Sequence, residues 1–146
     1  MTDQERIASL QYQVGELKQR LDNNYETAKE YFIQGDSHLE DKDYSAAIAK
    51  YTQAIECYPD LGVAYRNRAV AYSRLHKHEL CIRDLEIAIK LTPDDGWAYL
   101  NRGIDILWEQ VNKAHQLAIE THDSKLVKVI DEINKNGLKR EEYLIK

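Results

Sequence analysis

The residues whose type and spacing could do chemistry are two pairs of histidines and two cysteines. His76 and His78 flank Lys77. Alternating histidines can bind a metal ion, but no cysteine or carboxylate stands at ligand spacing to complete a site, so the stretch reads as an exposed polar turn. His115 and His122 are seven apart on or near one helix face, with Asp123 adjacent, and also read as surface. Cys57 and Cys81 lack metal-type spacing, and a disulfide is not expected in a cytosolic chain. There is no nucleophile elbow, phosphate-binding glycine loop or His-Glu-x-x-His motif. Six singly scattered glycines cannot build a nucleotide cradle. The expectation is a protein that is not an enzyme and takes no cofactor and no metal.

Binding is the remaining chemistry, and charge bounds it. The 146 residues carry a net charge of −5, which argues against a nucleic-acid backbone as the main partner. The charge is uneven. Residues 22–60 hold nine acids against three lysines, whereas residues 61–92 hold six bases (Arg66, Arg68, Arg74, Lys77, Arg83, Lys90) against three acids. A local basic strip of this kind is ordinarily a solvated face, so neither nucleic acid nor membrane is expected as a partner. No apolar run approaches the roughly 20 residues of a membrane span. The N-terminus lacks the basic-then-apolar order of a secretory signal, and a cytoplasmic location follows as the expectation.

The elements that must position any binding residues are helices. Glycine (6) and proline (2) are scarce, and a 43% hydrophobic fraction with 31% charged residues suits a folded domain. Pro59 and Pro93 lie 34 residues apart, and the residues before them recur at that offset: Ala47 with Cys81, Ile48 with Ile82, Tyr51 with Leu85, Ala54 with Ala88, Ile55 with Ile89. Tyr65, Asn67 and Arg68 recur as Tyr99, Asn101 and Arg102. A fixed period of this size is one helix pair stacked on itself. Tyr44–Cys57 makes one second helix, stopped by Pro59. Leu61–Leu91 makes the next pair, and Asp94-Asp95-Gly96 caps a third.

These residues resemble the tetratricopeptide repeat. Its consensus falls on Tyr31, Gln34, Gly35, His38, Ala47, Tyr51, Ala54 and Pro59, and again on Tyr65, Arg68, Ala69, Tyr72, Cys81, Leu85, Ala88 and Pro93. A third copy begins at Tyr99, Arg102, Gly103 and Ile106. The resemblance implies an all-α helix-turn-helix solenoid of about three pairs, with repeats at 28–61, 62–95 and an irregular 96–136, a C-terminal capping helix at 138–146 and an N-terminal helix over 1–24. Small residues at Gly35, Ala69 and Gly103 would let the helices of each pair approach closely. The third copy fits only when shifted by eleven residues, so that Leu126, Val127, Ile130 and Ile133 reproduce the stripe of the first repeat. That gives an extended first helix of about 97–120 and a second of about 123–136; residues 111–146 acting only as caps is the other reading.

In this family the first helix of each pair lines a concave face. The implied groove residues are Phe32, Arg66, Asn67, Val70, Arg74, Trp97, Leu100, Asn101, Ile104 and Trp108. This wall is unusually apolar for a surface, which marks an interaction site. Asparagine at the slot of Asn67 and Asn101 hydrogen-bonds peptide backbone in relatives. One branch of the family clamps the C-terminal carboxylate of heat-shock chaperones with paired cations, but here Phe32, Asp36, Trp97 and Asn101 occupy the positions of its lysines, asparagine and arginine, and only Asn67 matches. The expected function is an adaptor that binds a partner helix or peptide. The alternative is a homo-oligomer joined through Ile7, Leu10, Val14, Leu17 and Leu21, a heptad seam in the N-terminal helix, with the groove filled by the chain's own N- or C-terminal helix.

Overall fold

The computed structural model describes residues 1–136. Six helices follow in order: α1 Asp3–Glu40, α2 Tyr44–Cys57, α3 Gly62–Arg74, α4 His78–Leu91, α5 Gly96–Glu120 and α6 Ser124–Asn136. Each helix packs on the next, and α1, α3 and α5 also touch in series. This is a solenoid of antiparallel pairs.

The pairs are shaped by small residues facing large ones. Gly35 is buried against Tyr51 of α2; a methyl group there would come within 2.6 Å of the tyrosine ring. Ala28, Ala54 and Ala64 form one core cluster, Ala47, Tyr51 and Ala71 a second, and Ala69, Cys81, Leu85, Ala88 and Ala98 a third. Three turns reuse one device: Lys42, His76 and His122 all adopt left-handed backbone, with φ of 61°, 58° and 59°. Lys42 and His76 are separated by the repeat length. His122 follows His76 by 46, twelve residues late, and α5 is correspondingly 25 residues long against 13 for α3.

Several expectations need correction. The N-terminal helix is not a separate element over 1–24: α1 runs unbroken for 38 residues into the first repeat. It starts with a capping box in which Thr2 and Glu5 satisfy each other's backbone N–H groups. Its first 24 residues are all exposed, so they neither pack back on the body nor fill a groove. α5 and α6 match the bounds expected of an extended first helix and a second, but α6 buries Ile130 with Val127 and Asn134 half-buried, leaving Leu126 and Ile133 exposed. Gly103 does not serve close approach: nothing lies within 4 Å of a Cβ built there, because α6 packs further along α5. The capping helix expected at 138–146 lies outside the described residues.

Candidate functional site: the face of α1, α3 and α5

A polar chain crosses this face and ties four helices together. Asp36 on α1 accepts hydrogen bonds from the Tyr51 hydroxyl of α2 at 2.6 Å and from Asn67 Nδ2 of α3 at 2.9 Å. Asn67 Oδ1 accepts from Arg66 Nε at 3.3 Å. Arg66 Nη1 donates to both carboxylate oxygens of Asp95, at 3.0 and 2.8 Å. Asp95 in turn caps α5 by accepting from the N–H groups of Trp97 and Ala98. Burial, followed by the hydrogen bond to Asp36 and its charge, pushes the Tyr51 hydroxyl well above the ordinary tyrosine range.

Beside this chain α1 and α3 enclose a cleft of about 380 Å³, lined by Phe32, Asp36, Leu39, Glu40, Val63, Arg66 and Asn67. Phe32 is half-buried with its ring 5.8 Å from Tyr51. Val70, at 8% exposure, belongs to the floor, and Arg74 is half-buried. On α5, Trp97 (45%) and Leu100 (46%) are open to solvent, while Ile104 and Trp108 are half-buried. Asn101 is only 2% exposed, and its Oδ1 has no hydrogen-bond partner among the described residues. The cause lies in the repeat: Asn67 Oδ1 accepts from Arg66 Nε, but one repeat on the residue in Arg66's place is Leu100, which has no side-chain donor. A buried acceptor left this way costs about 1–3 kcal/mol until a donor reaches it.

Arg66, Arg68 and Arg83 of the basic strip are paired internally. Arg68 forms a two-pronged hydrogen bond with Asp84 at 2.7 and 2.8 Å, donates to Thr52 at 3.0 Å and lies between the rings of Tyr65 and Tyr72. Burial alone would lower its pKa, yet the bonds and charge of Asp84, with the two tyrosines, raise it. Arg83 lies near Glu79.

A second polar cluster was invisible to spacing arguments. His78 is not in an exposed turn: it opens α4 and its Nδ1 lies 3.2 Å from both oxygens of Asp105 on α5. Asp105 is fully buried and also accepts from the Ser73 hydroxyl of α3 at 2.7 Å. These three positions are one repeat after Leu39, Tyr44 and Ala71, which form an apolar layer at the first joint. The signal available in the sequence was this exchange of three apolar residues for polar ones at matched offsets.

A sequence profile of the tetratricopeptide repeat matches residues 50–83. Over that stretch the chain is similar to the tetratricopeptide-repeat family. It is 31% identical over 121 residues to the small glutamine-rich tetratricopeptide repeat-containing protein 2 of Mycosarcoma maydis, an alignment covering 80% of this chain and 33% of that one. Among solved structures, the TPR2B domain of yeast Sti1 in complex with pHsp70 superposes with a TM-score of 0.55 at 26% identity, covering 80% of this chain and 90% of that one. The first tetratricopeptide domain of Spaghetti bound to the Hsp90 peptide SRMEEVD gives 0.57 at 24% identity, covering 76% and 93%, and shares the fold. The chain spans a third or less of the length of this and other curated relatives that it matches by sequence.

Proposed function

We propose that this chain is a non-enzymatic adaptor that holds a partner's amphipathic helix or extended peptide against α1, α3 and α5. The observation that carries the reading is the exposure of Trp97 and Leu100 on α5, whose cap Asp95 is bonded to Arg66 in the wall of a cleft that Phe32, Leu39 and Val63 also line. Apolar side chains in that arrangement are anchors for a ligand's own apolar face. Solved neighbours in complex with Hsp90 and pHsp70 support a peptide as the ligand class. Two thiols, Cys57 half-buried and Cys81 buried, suit a reducing cytoplasm.

The ligand differs in chemistry from an acidic C-terminal peptide. Capture of a carboxylate needs paired cations. Asp36 places a negative charge in the cleft, and Arg66 is already neutralised by Asp95. Phage-displayed libraries of amphipathic and extended peptides, selected against the full chain, test this. Enriched peptides are expected to be apolar-faced and to bind the Trp97→Ala/Asn101→Ala variant at least tenfold more weakly, a loss of about 1.4 kcal/mol. Equal binding by the variant would overturn the reading.

A further inference from the structure

The N-terminal half of α1 carries an apolar stripe with no described residue packed against it. Ile7, Leu10, Val14, Leu17 and Leu21 are each between 53% and 62% exposed. The stripe is continuous with the face that docks α2. Ile7, Val14 and Leu21 are followed at intervals of seven by Ala28 and Gly35, the two buried residues of α1. Lower on the helix, Tyr51 covers Gly35 and Ala54 joins Ala28 in one cluster. The cover ends where Tyr25 meets Tyr58 edge-on at 5.2 Å, just past the end of α2 at Cys57. Above that point no described residue covers the stripe.

We propose that a second copy of this chain supplies that cover, with the two α1 helices running antiparallel across a two-fold axis. This rests on α1 alone and is independent of the groove. Ile7, Leu10, Val14, Leu17 and Leu21 alternate spacings of three and four, which is the pattern of a helix-on-helix seam. The direction follows from α2. It packs antiparallel to α1 and stops near Tyr25, so an antiparallel neighbour continues its line and starts where it ends. The two bodies then sit at opposite ends of a shared stretch about 36 Å long. A parallel pair would bring both bodies to one end, where two copies of α2 compete for the space between the α1 helices.

Charge selects the register. When Val14 packs on Leu17 of the second copy and Leu10 on its Leu21, Lys18 falls opposite Gln11, Arg20 opposite Gln13 and Arg6 opposite Thr27. Every flanking cation meets an uncharged residue. One heptad shorter, Arg6 meets Arg20 twice and Leu21 meets Asp3, and like charges in such positions oppose pairing.

Light scattering on the full chain over a range of concentrations tests the pairing. The expected mass is twice that of the chain, falling on dilution. The Leu10→Asp/Leu17→Asp variant is expected to be monomeric with the helix signal of its repeats retained. Direction is read by cross-linking in a Cys57→Ser background, Cys81 being buried. Mixed Leu10→Cys and Leu21→Cys chains should form a disulfide dimer, and Ile7→Cys alone should not. A monomer at every concentration, a double-aspartate variant that still dimerises, or efficient Ile7→Cys cross-linking would each overturn the proposal.

Discussion

Asn67 donates to Asp36 across 2.9 Å, joining α3 to α1 through two side chains 31 positions apart. The same carboxylate oxygen also accepts from Tyr51. One half-buried charge therefore holds the first repeat against the second. Asp36→Ala is expected to cost about 1–3 kcal/mol of folding stability, because two donors lose their acceptor. Urea unfolding followed by circular dichroism measures it; a change below a few tenths of a kcal/mol would show the contacts to be incidental.

Tyr51 makes the stability of the chain sensitive to alkaline pH in a defined direction. Its folded-state pKa is raised above the ordinary tyrosine value, mainly by burial and then by Asp36. The folded protein therefore keeps a proton that the unfolded chain releases above about pH 10. Stability from this group is complete below that pH and declines above it by up to about 1.4 kcal/mol per pH unit. Between pH 9 and 11 the Tyr51→Phe variant should show a shallower loss than the parent. Parallel curves would rule out the assignment.

Ligand choice can be tested at the same site. The peptide SRMEEVD, bound by a solved neighbour, is expected not to bind the parent chain. The triple change Phe32→Lys/Asp36→Asn/Trp97→Lys removes the repelling carboxylate and adds two cations on α1 and α5. It should gain salt-dependent affinity for that peptide in fluorescence polarisation, since exposed charge pairing weakens with ionic strength. Binding by the parent as strong as by the triple variant would contradict the role given to Asp36.

What could be read from the sequence followed from repetition. Ala47, Tyr51 and Ala54 are fully buried, as are Leu85 and Ala88 one period later, because each packs against a near-copy of the same neighbour. The cross-helix polar contacts could not be read: Asp36 with Asn67, and Ser73 with Asp105, are 31 and 32 positions apart and follow no helical period. The bounds of α5 and α6 were read closely, but the stripe of α6 was only half right, for a geometric reason. Eleven residues are close to three full turns, so a stripe shifted by eleven keeps its facing, whereas the actual twelve rotates it by about a third of a turn. For Phe32, Asn67 and Asn101 the sequence placed the residues on the right helices but not their partners. The continuity of α1 through Asn23 and Asn24 carried no signal either, since asparagine is only a weak helix breaker.

The joint between α3, α4 and α5 offers the most demanding test of how this repeat tolerates polarity. Asp105 is fully buried, and its carboxylate is met by Ser73 and His78. Asp105→Ala removes the acceptor that both share and should destabilise the chain by about 1–3 kcal/mol. At the preceding joint the equivalent residues are Leu39, Tyr44 and Ala71, packed as an apolar layer. Copying that layer forward, as Ser73→Leu/His78→Tyr/Asp105→Ala, replaces these three residues with ones the fold already accommodates one repeat earlier. Well-packed apolar replacements of buried charged groups are commonly neutral or stabilising. The triple variant is therefore expected to match or exceed the parent in stability, although one of its component changes is harmful alone. Thermal unfolding of the parent, the single variant and the triple variant decides it. A triple variant no better than Asp105→Ala would mean that the polar joint does something its apolar counterpart cannot.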